Sequence, residues 1–199
     1  MGEEKNSMNK NPYEQFPHIT TDKITLRKIV NSDIDGLFEI YNNEKVFQYI
    51  PGNYKKNKST VENMIEHFQR DFNKQKEIFL GICLNECPNG IVGVAEMFDY
   101  NKSVNMITIG YRLNEQYWGK GIATLTVKAM TEYLFNDIGI NRIQAFVMTE
   151  NIKSQKVLEK NGFIKEGIIR QGHIWKGQGL VDLVLYSLLK DEVTNNLSK

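Results

Sequence analysis

The residues of this 199-residue chain whose types and spacing most directly suggest chemistry are Gln116-Tyr117-Trp118-Gly119-Lys120-Gly121-Ile122-Ala123-Thr124. They follow an alternating apolar run, Ile107-Thr108-Ile109-Gly110-Tyr111-Arg112-Leu113, and open a long amphipathic segment. That pattern reads as a strand, a glycine-interrupted turn and a helix N-terminus. The first N–H groups of a helix have no partner within it, and the helix dipole adds positive potential behind them. Two glycines let the main chain approach a bulky phosphate closely, where any Cβ would obstruct it. The turn therefore predicts an anion site, with the pyrophosphate of a cofactor as its expected occupant. Lys120 could meet a phosphate or remain solvated.

A second candidate is Glu96, late in the apolar run Ile91 to Phe98. A carboxylate among apolar neighbours needs a reason. It is either an inward base whose pKa burial raises, or an edge residue facing solvent. Asp99, Tyr100 and His173 are fallbacks for a base. Cys83 and Cys87 have C-x-x-x-C spacing, but no histidine lies close in sequence to complete a metal site. Ordinary reduced thiols are expected, and no metal.

Lys and Arg total 25 against 24 Asp and Glu, a formal net charge of +1. That balance argues against a nucleic-acid or anionic-membrane protein, which would show a marked basic bias. Lys55-Lys56-Asn57-Lys58 reads as a solvated loop. Hydrophobic residues make up 41%, which suits one globular domain with a substantial core. Met1 to Phe16 is too polar for a signal peptide, and no apolar run is long enough to span a bilayer. Asn6 stands where a myristoylation pattern wants Ser or Thr. A cytoplasmic protein is expected.

The elements that must position these groups follow from periodicity. Residues 1–20 are polar and are expected to be flexible or loosely docked, ahead of a single domain over 21–192 and a tail over 193–199. Ile24 to Ile29 is a first strand. Helices are expected after Ser32-Asp33-Ile34-Asp35 and Ser59-Thr60-Val61-Glu62, each read as a capping box. Between them Val46 to Tyr54 is aromatic, and Pro51-Gly52 ends any helix there. Strands over Ile78 to Leu84 and Ile91 to Phe98, joined by a turn at Cys87-Pro88-Asn89-Gly90, precede the strand that enters the glycine turn. After the helix that follows come a strand over Arg142 to Met148 and a short helix over Asn151 to Asn161, closed by Gly162. Two last strands, Phe163 to Arg170 and Leu180 to Leu189, are joined by a Gly-rich connection carrying His173 and Trp175. The order β-α-α-β-β-β-α-β-α-β-β makes an α/β chain, a mixed sheet flanked by helices.

This order, with Gln116-x-x-Gly119-x-Gly121, resembles the GNAT superfamily of acetyl-CoA-dependent N-acetyltransferases. Tyr117 to Thr124, Asn151 to Phe163 and Val181 to Leu189 resemble its RimJ/RimL branch, the ribosomal-protein N-terminal acetyltransferases and their relatives. The resemblance implies a mostly antiparallel central sheet with a splayed central strand pair. It implies acetyl-CoA with its pyrophosphate on Gln116 to Gly121 and on the first helical residues Ile122, Ala123 and Thr124. The pantetheine would then lie along the main chain of Ile109, Tyr111 and Leu113. It implies direct attack of an amine on the thioester, with backbone N–H groups near Tyr111 as donors to the developing oxyanion. Many members place an acidic Tyr on the penultimate helix, where this chain has Leu158. The branch points instead to Ser154 as proton donor, with Asn151 orienting the pantetheine. A helix cap at Asn151 and an ordinary first-turn serine explain the same two residues.

For the acceptor, Val46 to Tyr54 and the connection His173 to Gly179 are expected to select the substrate. Tyr49, Tyr54, His173 and Trp175 would line an acceptor groove with Glu96, or the aromatics are packing residues. An α-amine of pKa about 8 is neutral to about a tenth at pH 7, and a lysine-type amine of pKa about 10.4 to about one part in a thousand. The sequence carries no emphatic base, which tilts the acceptor towards a peptide N-terminus or an amino-sugar-like amine. The expectation is an acetyl-CoA-dependent N-acetyltransferase acting on a protein N-terminus or a small-molecule amine, as a monomer or homodimer. A non-catalytic acyl-CoA-binding or regulatory domain is the alternative, and Leu158 is its support. Nucleotide binding on another fold is disfavoured, since neither a G-x-x-x-x-G-K-[ST] nor a G-x-G-x-x-G motif is present.

Overall fold

The computed structural model describes residues 10–50, 52, 54–175, 177 and 179–196. Pro51, Asn53, Lys176 and Gln178, which belong to the two expected acceptor segments, lie outside the described residues, as do 1–9 and 197–199. The strands are β1 (Ile19–Thr20), β2 (Ile24–Lys28), β3 (Glu77–Leu84) and β4 (Gly93–Asn101). They continue as β5 (Met106–Leu113), β6 (Arg142–Met148), β7 (Ile164–Trp175) and β8 (Gly179–Leu189). All eight form one sheet in the order β1-β2-β3-β4-β5-β6-β8-β7. Neighbours run antiparallel throughout except β5 and β6, which are parallel.

Alternation sorts side chains between two cores, because successive strand residues face opposite sides of the sheet. Helices α1 (Ile34–Tyr41) and α2 (Lys58–Asn73) cover one face with Leu37, Ile40, Val61 and Phe68. Helices α3 (Ile122–Tyr133) and α4 (Ile152–Lys160) cover the other, where Val127, Met130 and Leu158 meet Ile107 and Ile109 of β5. The intervening residues of β5, Thr108 and Arg112, are buried on the α1–α2 side. Among the described residues no helix is long and apolar enough to cross a membrane.

Four local expectations change. Residues 11–20 are not loosely docked: Tyr13 is 6% exposed, Tyr13 and Phe16 pack on Phe72 of α2 with ring centroids 6.0 and 4.8 Å apart, and β1 pairs with β2. Two inserted aromatics outweigh a polar background. Neither Ser32 nor Ser59 caps a helix. Asp33, buried, takes Arg27 Nη1 and Nη2 at 2.8 Å each and Val30 N–H at 2.9 Å, while α2 starts after Asn57 with no side-chain cap. His173 and Trp175 lie in β7 rather than in a connection. That strand reaches them by shifting register twice, between Lys165 and Gly167 and between Ile169 and His173, with Gln171 at φ 53°. β7 is the last strand on its side of the sheet and leaves Ile164, Ile168 and Ile174 exposed. Finally, residues 193–196 of the expected tail belong to α5 (Lys190–Asn196).

The Arg27–Asp33 pair pins the start of α1 to β2. Asp33→Ala leaves Arg27 without its carboxylate and is expected to lower the unfolding free energy by about 3 kcal/mol. Urea unfolding at constant m-value measures it. A loss under about 1 kcal/mol would put the pair with exposed ion pairs that contribute little.

Candidate functional site

β5 and β6 pair only through Met106↔Arg142, Ile107↔Ile143 and Thr108↔Gln144. Beyond Thr108 each strand keeps its outer neighbour: Ile109 to Leu113 stay paired with β4, and Ala145 to Met148 with β8. The two strands therefore diverge, and the main chain of Ile109 to Leu113 loses its partner on the β6 side. At the open end of β5 the chain makes a short 3-10 turn, Glu115–Tyr117, and then the glycine turn into α3. Asn114 Oδ1 accepts Gln116 N–H at 3.1 Å, and the Trp118 indole N–H donates to the Leu113 carbonyl at 2.9 Å. Gly119 and Gly121 have φ of 74° and 80°, left-handed values that glycine adopts without strain. A Cβ built on either would meet no atom within 4 Å, so the turn presents bare main chain outward. Lys120 sets its ammonium over the Tyr117 ring at 5.1 Å from the centroid.

The opposite arm leads from β6 into α4. Asn151 Oδ1 accepts Ser154 N–H at 3.2 Å, so Asn151 is the N-cap. Ser154 Oγ lies 3.1 Å from the hydroxyl of Tyr111, which reaches across the gap from β5. Burial pushes the Tyr111 phenol above its usual pKa, against a smaller lowering by the Ser154 bond, so the phenol keeps its proton at neutral pH. Behind Ser154, Gln155 Nε2 donates to the Met148 and Thr149 carbonyls at 3.4 and 2.9 Å. The buried Tyr186 hydroxyl shares its one proton between Gln155 Oε1 at 3.3 Å and Glu159 Oε1 at 3.0 Å, which fixes α4 against β8.

On the α1–α2 face, Glu96 is only 8% exposed and directly opposes Gly110 across the β4–β5 ladder. It does not face solvent. Its Oε1 pairs with Arg112 Nη2, and its Oε2 sits 3.3 Å from where a Cβ on Gly110 would be. Arg112 also stacks on Tyr41 and Phe47, at 5.1 and 5.7 Å from their centroids. Glu77 of β3 lies on the same face, diagonal to Glu96, since Glu77 pairs with Phe98 and Phe79 with Glu96. Burial first, then the charge of Glu96, raise its pKa to about 8, opposed by Arg112 and reinforced by Asp71 and Asp99.

The expected acceptor residues divide. Tyr49 and Trp175 come together in a small cluster with Met148, Val181 and Leu183 at the end of β6. His173 meets Trp175 edge-on at 5.3 Å. Tyr54 is elsewhere, against the α1–α2 core with Lys56 over its ring at 5.8 Å. Trp175 is 6% exposed, and its indole N–H has no hydrogen-bond partner among the described residues.

Several residues at the site escaped the sequence reading. Arg112 carried a signal, a charge inside an apolar alternating run, that only a partner on the next strand explains. Glu77, at a strand start, carried none. Nor did Asn43 and Lys45, which donate to Glu115 at 2.9 and 2.6 Å and tie the segment after α1 to the turn before Gly119.

Residues 23–164 match the Acetyltransferase (GNAT) domain family. The uncharacterized N-acetyltransferase p20 of Bacillus licheniformis is 30% identical over 172 residues, 86% of this chain and 96% of that protein. Two solved structures share the fold. The ribosomal-protein-S5-alanine acetyltransferase of Vibrio fischeri has a TM-score of 0.75 at 20% identity, covering 88% of this chain and 98% of that one. The microcin C7 self-immunity acetyltransferase MccE, solved with acetyl-CoA and AMP, has a TM-score of 0.75 at 24% identity, covering 85% and 93%. With the diverging strand pair and the glycine turn at its open end, this match over 23–164 makes the chain a member of the GNAT acetyltransferase family.

Proposed function

We propose that this chain transfers the acetyl group of acetyl-CoA to a primary amine, with an α-amine flanked by a carbonyl, as at a peptide N-terminus, as the favoured acceptor. The observation that carries the reading is the Tyr111–Ser154 contact inside the gap between β5 and β6, beside a glycine turn of bare main chain. The residues fit the cofactor: glycines at positive φ leave their N–H groups approachable, and MccE holds acetyl-CoA on the same fold. Gln116 to Gly121, with Tyr117, Trp118 and Lys120 between them, and the N–H groups of Ile122, Ala123 and Thr124 would hold the pyrophosphate. The main chain of Ile109 and Tyr111 would line the pantetheine, in the manner of strand addition. The Leu113 carbonyl already accepts the Trp118 indole N–H, which leaves the Leu113 N–H as its uncommitted group on that side.

When bound, acetyl-CoA supplies an acyl carbon open to the amine and a thiolate leaving group. This chain's part is to place protons. Glu96, anchored through Oε1 to Arg112, turns Oε2 towards Gly110 and takes the amine proton there. Ser154 Oγ–H hands a proton to the leaving sulfur, and the protonated Tyr111 hydroxyl stands behind it to resupply Ser154. The phenol that Leu158 does not provide thus comes from β5, which removes the support for a non-catalytic domain. Asn151 commits Oδ1 to Ser154 N–H and leaves Nδ2 to donate to the pantetheine.

The tilt towards a carbonyl-bearing acceptor rests on Trp175. Its indole N–H is a donor only and has no partner among the described residues, and a buried donor left so costs about 1–3 kcal/mol. A peptide carbonyl would relieve that cost, whereas a fully protonated polyamine offers no acceptor atom. His173 meets the indole edge-on, and Tyr49 packs against the same cluster.

Thiol release from acetyl-CoA should be faster with a peptide bearing a free α-amine than with an Nα-blocked lysine peptide or spermidine. No release with any of a broad panel of amines would overturn the reading. Ser154→Ala is expected to lower kcat about a hundredfold, with the CoA Kd changed less than about threefold. Because Tyr111 and Ser154 share one proton route, Tyr111→Phe added to Ser154→Ala should slow turnover little further; fully additive losses would separate their roles.

A further inference from the structure

We infer that Glu77 is the solvent-side station of the amine's proton path, receiving through Glu96 the proton that leaves the acceptor and passing it to bulk water. The inference rests on the acetyl-transfer reading. Glu96 cannot deliver its proton outward by itself: it is buried, and one of its two oxygens is held by Arg112. Glu77 stands next along the same face. Diagonal neighbours of an antiparallel pair lie about 7–8 Å apart at the backbone, within reach of two long side chains or one water between them. Its side chain is half-buried, and no hydrogen bond or ion pair ties it among the described residues.

Charge decides what this carboxyl can do. Among the described residues Arg112 is the only cation that acts on it appreciably, while Glu96 and Asp99 of β4 and Asp71 of α2 all disfavour its ionised form. The Tyr41 hydroxyl of α1 and the Tyr13 hydroxyl of the N-terminal segment are coupled to the same charge. Two carboxylates against one guanidinium leave a second negative charge underpaid in a poorly solvated place. Glu77 therefore gives up its proton only near pH 8, where an α-amine also does, so passage between them is close to level. An ordinary carboxyl would sit about four pK units lower and hold the proton far too weakly. In the step, an N–H bond of the acceptor breaks as an O–H forms on Glu96 Oε2. That O–H breaks as one forms on Glu77, and the Glu77 proton then leaves to water. No electrons change hands. Ionised Glu77 is the working form, so turnover falls as pH drops below about 8.

Folded Glu77 holds its proton to about pH 8 against 4.5 in the unfolded chain, so the folded state binds more protons between these values. Stability therefore declines as pH rises through that window and levels off above it. Glu77→Gln should abolish that part of the decline and melt higher than wild type at pH 8.5, with the difference shrinking towards pH 5, which also shows that the variant folds. The test is kcat against pH for wild type, E77Q and E77D, with two peptide acceptors of different α-amine pKa, alongside a ¹³C NMR titration of Glu carboxyls in the ligand-free protein. Expected are a wild-type limb near pH 8 that does not move with the acceptor, a Glu resonance titrating near 8 that E77Q lacks, and a kcat for E77Q lower by about a hundredfold with the limb gone. E77D should keep the limb. If E77Q retains wild-type kcat, or loses rate but keeps the limb, or if no Glu titrates above pH 7, the inference fails. A wild type that acetylates no amine sinks the acetyl-transfer reading itself, whereas an active wild type with an unchanged E77Q profile sinks only the role of Glu77.

Discussion

Three residue pairs of parallel ladder hold β5 to β6, and past Thr108 the backbone of both strands runs on with one edge unpaired. Main-chain N–H and C=O groups that leave water must be satisfied elsewhere, so such a gap persists only if each arm is secured from outside. Here β4 grips one arm and β8 the other along their full lengths. Gln155 takes up the Met148 and Thr149 carbonyls where β6 ends, and Trp118 takes the Leu113 carbonyl where β5 ends. These contacts secure the two arms that border the gap.

The two faces of the sheet have divided the labour. On the α3–α4 face the pair that spans the gap is neutral, a phenol and a serine hydroxyl in contact. On the α1–α2 face the groups are charged, with the Arg112 guanidinium paired to Glu96 and lying over the Tyr41 and Phe47 rings. Burying such an ion pair is costly unless further contacts hold its geometry, and the aromatic pair supplies them. Gly110 leaves room beside the ion pair, because a Cβ there would come within 3.3 Å of Glu96 Oε2.

Much of this was legible in the sequence wherever the signal was local. The glycine turn, α3, the strand Arg142–Met148 and the cap at Asn151 follow from spacing within a dozen residues. What stayed hidden depended on which strands are neighbours. Glu96 reads equally as a base or a surface residue until β5 is laid beside it and Arg112 is seen to share its face. His173 and Trp175 looked like loop residues because Gly172 and the residues around it break the alternation, although two bulges carry the strand through. Tyr13 and Phe16 were lost in a polar background, since burial of two rings needs a hydrophobic partner such as Phe72 that lies far along the chain.

The bulges in β7 have a further effect. An outer strand of 12 residues with exposed isoleucines is a template on which another chain can add a strand and begin to aggregate. Each register shift twists the edge and interrupts the regular row of donors and acceptors, and Lys165 and Arg170 set charges along it. The irregularities that carry Trp175 to its place therefore also break a long sticky edge into segments too short to propagate a neighbouring sheet.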